Sequence, residues 1–264
     1  MLARPTSLLF ATLALLITGT EQAWAQSAGS GPGLGQPRRA GTATWLALTS
    51  DTRLADHWGA HAEVQGRRTS GGAARQNLLR LGINYHASAA LVFSAGYAHV
   101  LTFPSGDFSA VTQLPEHRVY EQLQLHDSHG RLQLLHRYRL EQRWVQLADQ
   151  PAPVYLNRIR YQLRLTYPLS APTLQPGGAY LVAADELFLG FGANVQHGIF
   201  DQNRAYAAVG YQISKALALE AGYLNQLLQP YSATDFGSMH SVQIGLTFNP
   251  EFRPTGTLAS AQPQ

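Results

Sequence analysis

The chain has 264 residues, a formal net charge of +3, 13% charged residues and no cysteine. The missing cysteines exclude thiol nucleophiles, disulfide staples and cysteine-based metal centres. Lys215 is the only lysine and the arginines are spread along the chain at strand spacing, so no basic patch for nucleic acid is expected.

Residues 1–25 have the form of a secretory signal. Arg4 precedes the apolar run from Leu8 to Ile17, and Ala23-Trp24-Ala25 supplies the small-x-small pattern of a peptidase site, with cleavage expected after Ala25. A membrane-anchoring helix needs roughly 20 apolar residues, about twice what stands here before Thr18 to Glu21 interrupt the run. Removing the signal takes away one base, Arg4, and one acid, Glu21, and leaves the charge balance unchanged. Residues 26–42 are rich in Gly, Pro and Ser, a composition that buries too little apolar surface to order itself, and read as a flexible lead-in.

From residue 43 the pattern changes to long alternating segments bounded by Gly, Pro, Asp and Ser. Strands are expected at 43–50, 57–67, 76–86, 90–101, 116–126, 131–144, 155–168, 179–190, 202–213, 216–227 and 238–248. Their length suits a tilted crossing of a bilayer, which takes about 9–11 residues, better than the soluble mode of about 5–6. Connections alternate between short ones at 87–89, 127–130 and 214–215 and longer ones at 102–115, 146–153, 192–201 and 228–237, as between the two faces of an outer-membrane barrel. Bacterial barrels usually have an even strand number, so 10–12 strands are expected, with 12 favoured over the 11 found by pattern. Residues 179–200 alternate least clearly. A domain over 43–248 and a C-terminal tail over 249–264 complete the organisation.

Within these segments apolar and polar residues take opposite parities. Leu132, Leu134, Tyr138, Leu140 and Trp144 share one side, and Arg137, Arg139, Glu141 and Arg143 the other. Ile159, Tyr161, Leu163, Leu165 and Tyr167 alternate in the same way with Arg158, Arg160, Gln162, Arg164 and Thr166. A soluble barrel would turn the apolar side inward, but with ten or more strands its lumen would be too wide for side chains to fill. The fold expected is therefore an all-β, antiparallel up-and-down transmembrane barrel, apolar outside and charged inside. Trp58, Tyr85, Tyr97, Trp144, Tyr161, Tyr167, Tyr211 and Tyr223 lie on the apolar parity, as aromatic girdles require.

The charged parity supplies the candidate site, an ion-pair network in the lumen formed by Glu116, Arg118, Arg137, Arg139, Glu141, Arg143, Arg158, Arg160, Arg164, Arg204 and Glu220, with Glu186 as a further member if its parity is inward. A turn at 127–130 in the simplest register sets Glu116 against Glu141 and Arg118 against Arg139. A shift by two residues, or a diagonal equivalent, pairs Glu116 with Arg143 and Arg118 with Glu141 and is therefore expected. Such a network either narrows a solute path or plugs the lumen and holds strand register, and the second role is favoured.

Other motifs carry less. His126-Asp127-Ser128-His129 reads as a turn before it reads as a catalytic group. His57 and His61 are too far apart on a strand to chelate a metal unaided. No glycine-rich phosphate loop stands between a strand and a helix, and the pairs Gly96-Tyr97, Gly210-Tyr211 and Gly222-Tyr223 read as an inward glycine beside an outward tyrosine. No catalytic residue, cofactor or metal ligand is assigned, and no enzymatic activity is expected.

Arg75-Gln76-Asn77-Leu78-Leu79-Arg80-Leu81-Gly82, Ala95-Gly96-Tyr97, the segments 116–122 and 138–143, Asp201-Gln202-Asn203-Arg204 and Gly222-Tyr223-Leu224-Asn225-Gln226 together resemble the uncharacterised DUF2490 family over about Trp45 to Phe248. The resemblance implies an exported outer-membrane barrel of a kind found largely in Bacteroidetes, with no known activity. The expectation is an integral protein of the bacterial outer membrane, in contact with lipid and small solutes, acting as a small passive channel or structural component. The alternatives are a barrel that grips a ligand or partner with its external loops, notably 102–115, and more distantly an enzyme acting on envelope lipid. Phe248 is followed by further residues, whereas many such barrels end on the aromatic residue itself.

Overall fold

A computed structural model of the chain describes residues 41–69, 75–103, 113–147, 150–195, 198–228 and 237–252. The expected signal over 1–25, the lead-in up to residue 40, the centre of the 102–115 loop and the tail beyond 252 lie outside the described residues.

Among the described residues eleven strands form one closed barrel in which each strand neighbours the next along the chain. They are β1 (Gly41–Arg53), β2 (Trp58–Thr69), β3 (Arg75–His86), β4 (Leu91–Phe103), β5 (Leu114–His129), β6 (Leu132–Val145), β7 (Val154–Pro168), β8 (Gly178–Phe191), β9 (Phe200–Gln212), β10 (Leu217–Leu228) and β11 (Gly237–Phe248). The eleven segments read from alternation are these eleven strands, and the preference for twelve is corrected. With an odd number the ring closes by pairing β1 with β11 in parallel, Gly41 opposite Met239 through Thr49 opposite Thr247. Parallel pairing is slightly weaker per residue than antiparallel pairing, and the seam is extended past β11. Asn249 Oδ1 accepts from the Asp51 amide at 2.8 Å, Pro250 O accepts from the Arg53 amide at 3.2 Å and the Phe252 amide donates to Arg53 O at 2.9 Å.

The two rims differ. Residues 54–57, 87–90, 130–131, 169–177 and 213–216 connect strands at one rim, and 70–74, 104–113, 146–153, 192–199 and 229–236 at the other. Only 169–177 departs from the expected division between short and long. Because β1 and β11 are parallel, the chain enters the barrel at the long-connection rim and leaves it at the short-turn rim.

One turn corrects the expected register. Gly130, at φ +61°, is the first of the two residues between β5 and β6, the position where a type II′ hairpin demands a glycine. Asp127 and Ser128, read as turn residues, therefore remain in β5, where Asp127 faces Leu134 and Ser128 faces Gln133. The register moves two residues beyond the one expected, so that Arg118 lies opposite Arg143 and Glu116 opposite Val145.

Parity decides the rest. Leu46, Leu48, Leu81, Ile83, Val209 and Val242 on the outer parity are 46–58% exposed, while Glu141 and Gln226 on the inner parity are 1% exposed. Inward glycines make room for inward tyrosines. Gly82 and Gly96 face each other across β3 and β4, Tyr120 of β5 is the next residue in that row, and a Cβ on Gly96 would fall 2.2 Å from Leu81 O. Tyr180 covers Gly210 in the same way, while Gly222 packs against Ala208, so the reading of these glycines as barrel packing holds.

The Gly96→Ala variant should lose about 2 kcal/mol of stability, because the obstacle is backbone and cannot swing aside. Gly66→Ala, whose Cβ would meet nothing within 4 Å, should be close to neutral. Urea midpoints of the two variants folded in detergent check this.

Candidate functional site: an ion-pair network in the lumen

The candidate residues converge because β5, β6 and β7 each carry several charges on the inward parity. Glu116 of β5 accepts from its own strand neighbour Arg118 at 2.6 and 2.9 Å, and from Arg143 of β6 at 2.5 Å. The Glu116–Arg143 pair is thus made, as the diagonal equivalent of the register expected. The Arg118–Glu141 pair is not, since the register sets Arg118 against Arg143 and Glu116 engages Arg118 along the strand.

Glu141 is the centre of the network. Its Oε2 accepts from Arg158 at 2.5 and 2.9 Å, its Oε1 accepts from Arg160 at 2.7 Å, and Arg139 stands 3.9 Å away. Arg160 in turn donates to Glu186 of β8 at 2.7 and 3.0 Å, and Arg137 donates to the same carboxylate at 2.9 Å. Arg158 reaches Asp201 of β9 at 2.8 Å, with Arg143 3.9 Å from that carboxylate. Arg118, Glu116, Arg143, Asp201, Arg158, Glu141, Arg160, Glu186 and Arg137 therefore form one unbroken chain of opposite charges across five strands. Arg164 pairs with Glu220 of β10, which also accepts from Tyr180 Oη at 3.1 Å.

Arg139 and Arg204 depart from this pattern. Arg139 is 3% exposed and spends its fork on Gln122 Oε1, with its guanidinium 4.9 Å from the centre of the Tyr120 ring. Arg204 has no carboxylate partner among the described residues and lies over Trp45 and Phe188 instead. Glu186, whose parity the sequence leaves open, is inward and 4% exposed.

A second cluster escaped the sequence reading. Glu63 of β2 pairs with Arg80 of β3, and Asp51 of β1 accepts from Asn84 at 2.9 Å and lies 2.8 Å from His61 Nδ1. The signal was present, since His61 and Glu63 share the polar parity of β2, but only closure of the barrel brings Asp51 to them.

The two clusters face a cavity of about 1250 Å3 whose lining reaches from Lys215 and Ala216 at the short-turn rim to Arg143, Asp201 and Leu228 toward the other. Its walls are not uniform. Charges dominate β5–β7, and a small apolar cluster including Trp45, Tyr180, Val182 and Leu224 occupies the β1 and β8–β10 side. At the short-turn end of β5, Asp127 accepts from the Ser128 amide at 2.7 Å and lies 3.2 Å from His129, so that its carboxylate serves its own strand end. Among the described residues no three His, Asp or Glu groups are placed to hold a metal ion.

Residues 42–236 match the family described as a protein of unknown function, DUF2490. The chain belongs to this family. The match spans β1 to β10 and so takes in every charged residue of both clusters. No curated protein and no solved structure matches the chain.

Removing the central carboxylate tests whether the network holds the barrel together. Glu141→Gln leaves Arg158 and Arg160 short of a counter-charge and should cost about 3 kcal/mol, the range for breaking a buried pair from one side. Leu140→Ala, next to it but facing outward, should cost less in a detergent-solubilised sample. Paired urea titrations followed by heat-modifiable migration measure both.

Proposed function

We propose that this DUF2490 protein is an integral barrel of the bacterial outer membrane, exported by its N-terminal signal, with a polar Arg/Glu-lined lumen that serves as a small passive channel or makes the barrel a structural component of the membrane. The observation that carries the reading is the inverted alternation. Large apolar side chains are exposed on the outside of every strand from β1 to β11, while the carboxylates and guanidinium groups of the network are inside. An exposed apolar surface that continues around the whole barrel has no stable solution in water but suits hydrocarbon.

The aromatic residues support the same reading. Trp58 packs on Tyr85 at the short-turn rim, ring centres 5.0 Å apart, and Trp144 packs on Tyr155 at the other, 5.2 Å apart. Two such belts match the two interfaces of a bilayer. Among the described residues three carboxylates lie on the outer parity, Asp127 near the end of β5 and, within the wall, Glu121 and Asp185. Glu121 and Asp185 each accept from a carboxamide on an adjacent strand, Gln142 at 3.2 Å and Asn203 at 3.0 Å, and acidic groups are the less costly charges on a lipid-facing surface.

In this reading lipid is the principal partner and small solutes the cargo. The protein performs no catalysis, binds no cofactor and has no nucleic-acid partner. The short-turn rim, with Lys215, faces the periplasm.

Lys215 gives a direct test of the orientation because it is the only lysine. A membrane-impermeant amine reagent should modify the Lys215 peptide in permeabilised cells and leave it unmodified in intact ones, as read by mass spectrometry. Modification in intact cells would reverse the assignment of the rims. Folded protein inserted in a planar bilayer should give discrete conductance steps, and an inserted sample that carries no current would exclude the channel and leave the structural role.

A further inference from the structure

The inward arginines of β3, β5, β6 and β7 each form an ion pair with a carboxylate. Arg67 of β2 and Arg204 of β9 do not. Among the described residues neither forms an ion pair, although Glu186 stands opposite Arg204 across β8 and β9, and the Nε of each is buried without an acceptor. What holds them is aromatic. The Arg67 guanidinium carbon lies 3.8 Å from the centre of the Trp45 ring, and that of Arg204 lies 4.9 Å from the same ring and 4.7 Å from that of Phe188. The two guanidinium groups are thus no further apart than the sum of their distances to one indole, and the indole is itself fixed by donating Nε1–H to Gln65 at 3.2 Å. All of these residues except Phe188 line the cavity.

Two cations held this close repel each other, and an aromatic face offsets only part of the cost of taking them out of water. Everywhere else on this inner wall the chain supplies a carboxylate to do so. Here the facing carboxylate is Glu186, opposite Arg204 across β8 and β9, and its hydrogen bonds go to Arg137 and Arg160, so that the open hydrogen-bonding capacity is that of two planar forks, the geometry that binds oxyanions by paired hydrogen bonds. With Glu186 already shared by Arg137 and Arg160, Arg67 and Arg204 leave an excess of positive charge that suits a phosphoryl group, which carries about −1.5 to −2 at neutral pH, better than a single carboxylate.

We propose that Arg67 and Arg204, presented on Trp45, form a binding site for a small phosphate-type oxyanion in the lumen. The proposal rests on the reading of the lumen as accessible to solutes, and it assigns that lumen a preference for anions, as arginine-lined constrictions give to anion and phosphate pores. Inorganic phosphate and a small phosphomonoester share the chemistry that the site recognises.

Calorimetric titration of the barrel folded in detergent micelles, with inorganic phosphate in one arm and glycerol phosphate in another, tests it without requiring conduction. Saturable binding is expected in at least one arm, weakened about tenfold or more in the Arg67→Gln/Arg204→Gln double variant and unchanged in Arg131→Gln, whose arginine sits in a turn at the rim. Heat-modifiable migration checks that each variant is folded. A second measurement needs no variant: phosphate should protect Arg67 and Arg204 of the unaltered chain from an arginine-specific dicarbonyl reagent. Absence of saturable binding in both arms, binding undiminished in the folded double variant, or equal modification with and without phosphate would overturn the proposal. A barrel that binds phosphate but carries no current would instead remove the channel reading and leave this site standing.

Discussion

Sharing of interior carboxylates between arginines is the interaction on which the barrel depends. Glu141 serves Arg158 and Arg160, Glu186 serves Arg160 and Arg137, and Glu116 serves Arg118 and Arg143. Each acid sits on one strand and most of its partners on another, so a slip of register by one residue would send a whole set of charges to the outer face. Burying charges is costly, and replacing such groups by apolar ones is often neutral or better in a small core. A barrel of eleven strands leaves an interior too wide for apolar side chains to fill, and long arginines that meet across it fill space and fix register together.

The interior is asymmetric as a consequence. On β5–β7 the charges compensate one another almost completely, and Tyr120 lies between Arg80 and Arg139 as the join between the two clusters. On the side of β1 and β8–β10 an aromatic and aliphatic cluster shares the lining with Glu186, Asp201 and Glu220, whose ion pairs run to β6 and β7, and Arg67 and Arg204 stack on rings without forming an ion pair. The first wall provides stability. The second is where the lumen retains unspent binding capacity.

Much of this was legible in the chain because a strand has a side-chain period of two. The parity of Arg137, Arg139, Glu141 and Arg143 follows from spacing alone, and the structure keeps it. What spacing does not contain is the offset between strands. The β5–β6 register differs from the one expected because Gly130, which in the sequence closes a four-residue turn, has a positive φ that makes it the first residue of a two-residue one. Glu186 was uncertain because Ala183 and Ala184 fit either face. The Asp51–His61 and Glu63–Arg80 pairs depend on which strands become neighbours, and the preference for twelve strands came from a general habit of barrels, which closure by a parallel β1–β11 pair sets aside. Arg204 is inward as its parity requires and stands opposite Glu186, but parity says nothing of how that carboxylate is shared, and its hydrogen bonds go to Arg137 and Arg160.

The central claim is that apolar residues face lipid and polar ones face the lumen, and three tryptophans report on it. Trp58 and Trp144 are 52% and 40% exposed on the outer face, and Trp45 is 4% exposed inside. In variants that keep one of these three, reconstituted in vesicles containing brominated acyl chains, the fluorescence of Trp58 and of Trp144 should be strongly quenched and that of Trp45 nearly unaffected. Quenching of Trp45 with Trp58 and Trp144 left unquenched would contradict the account.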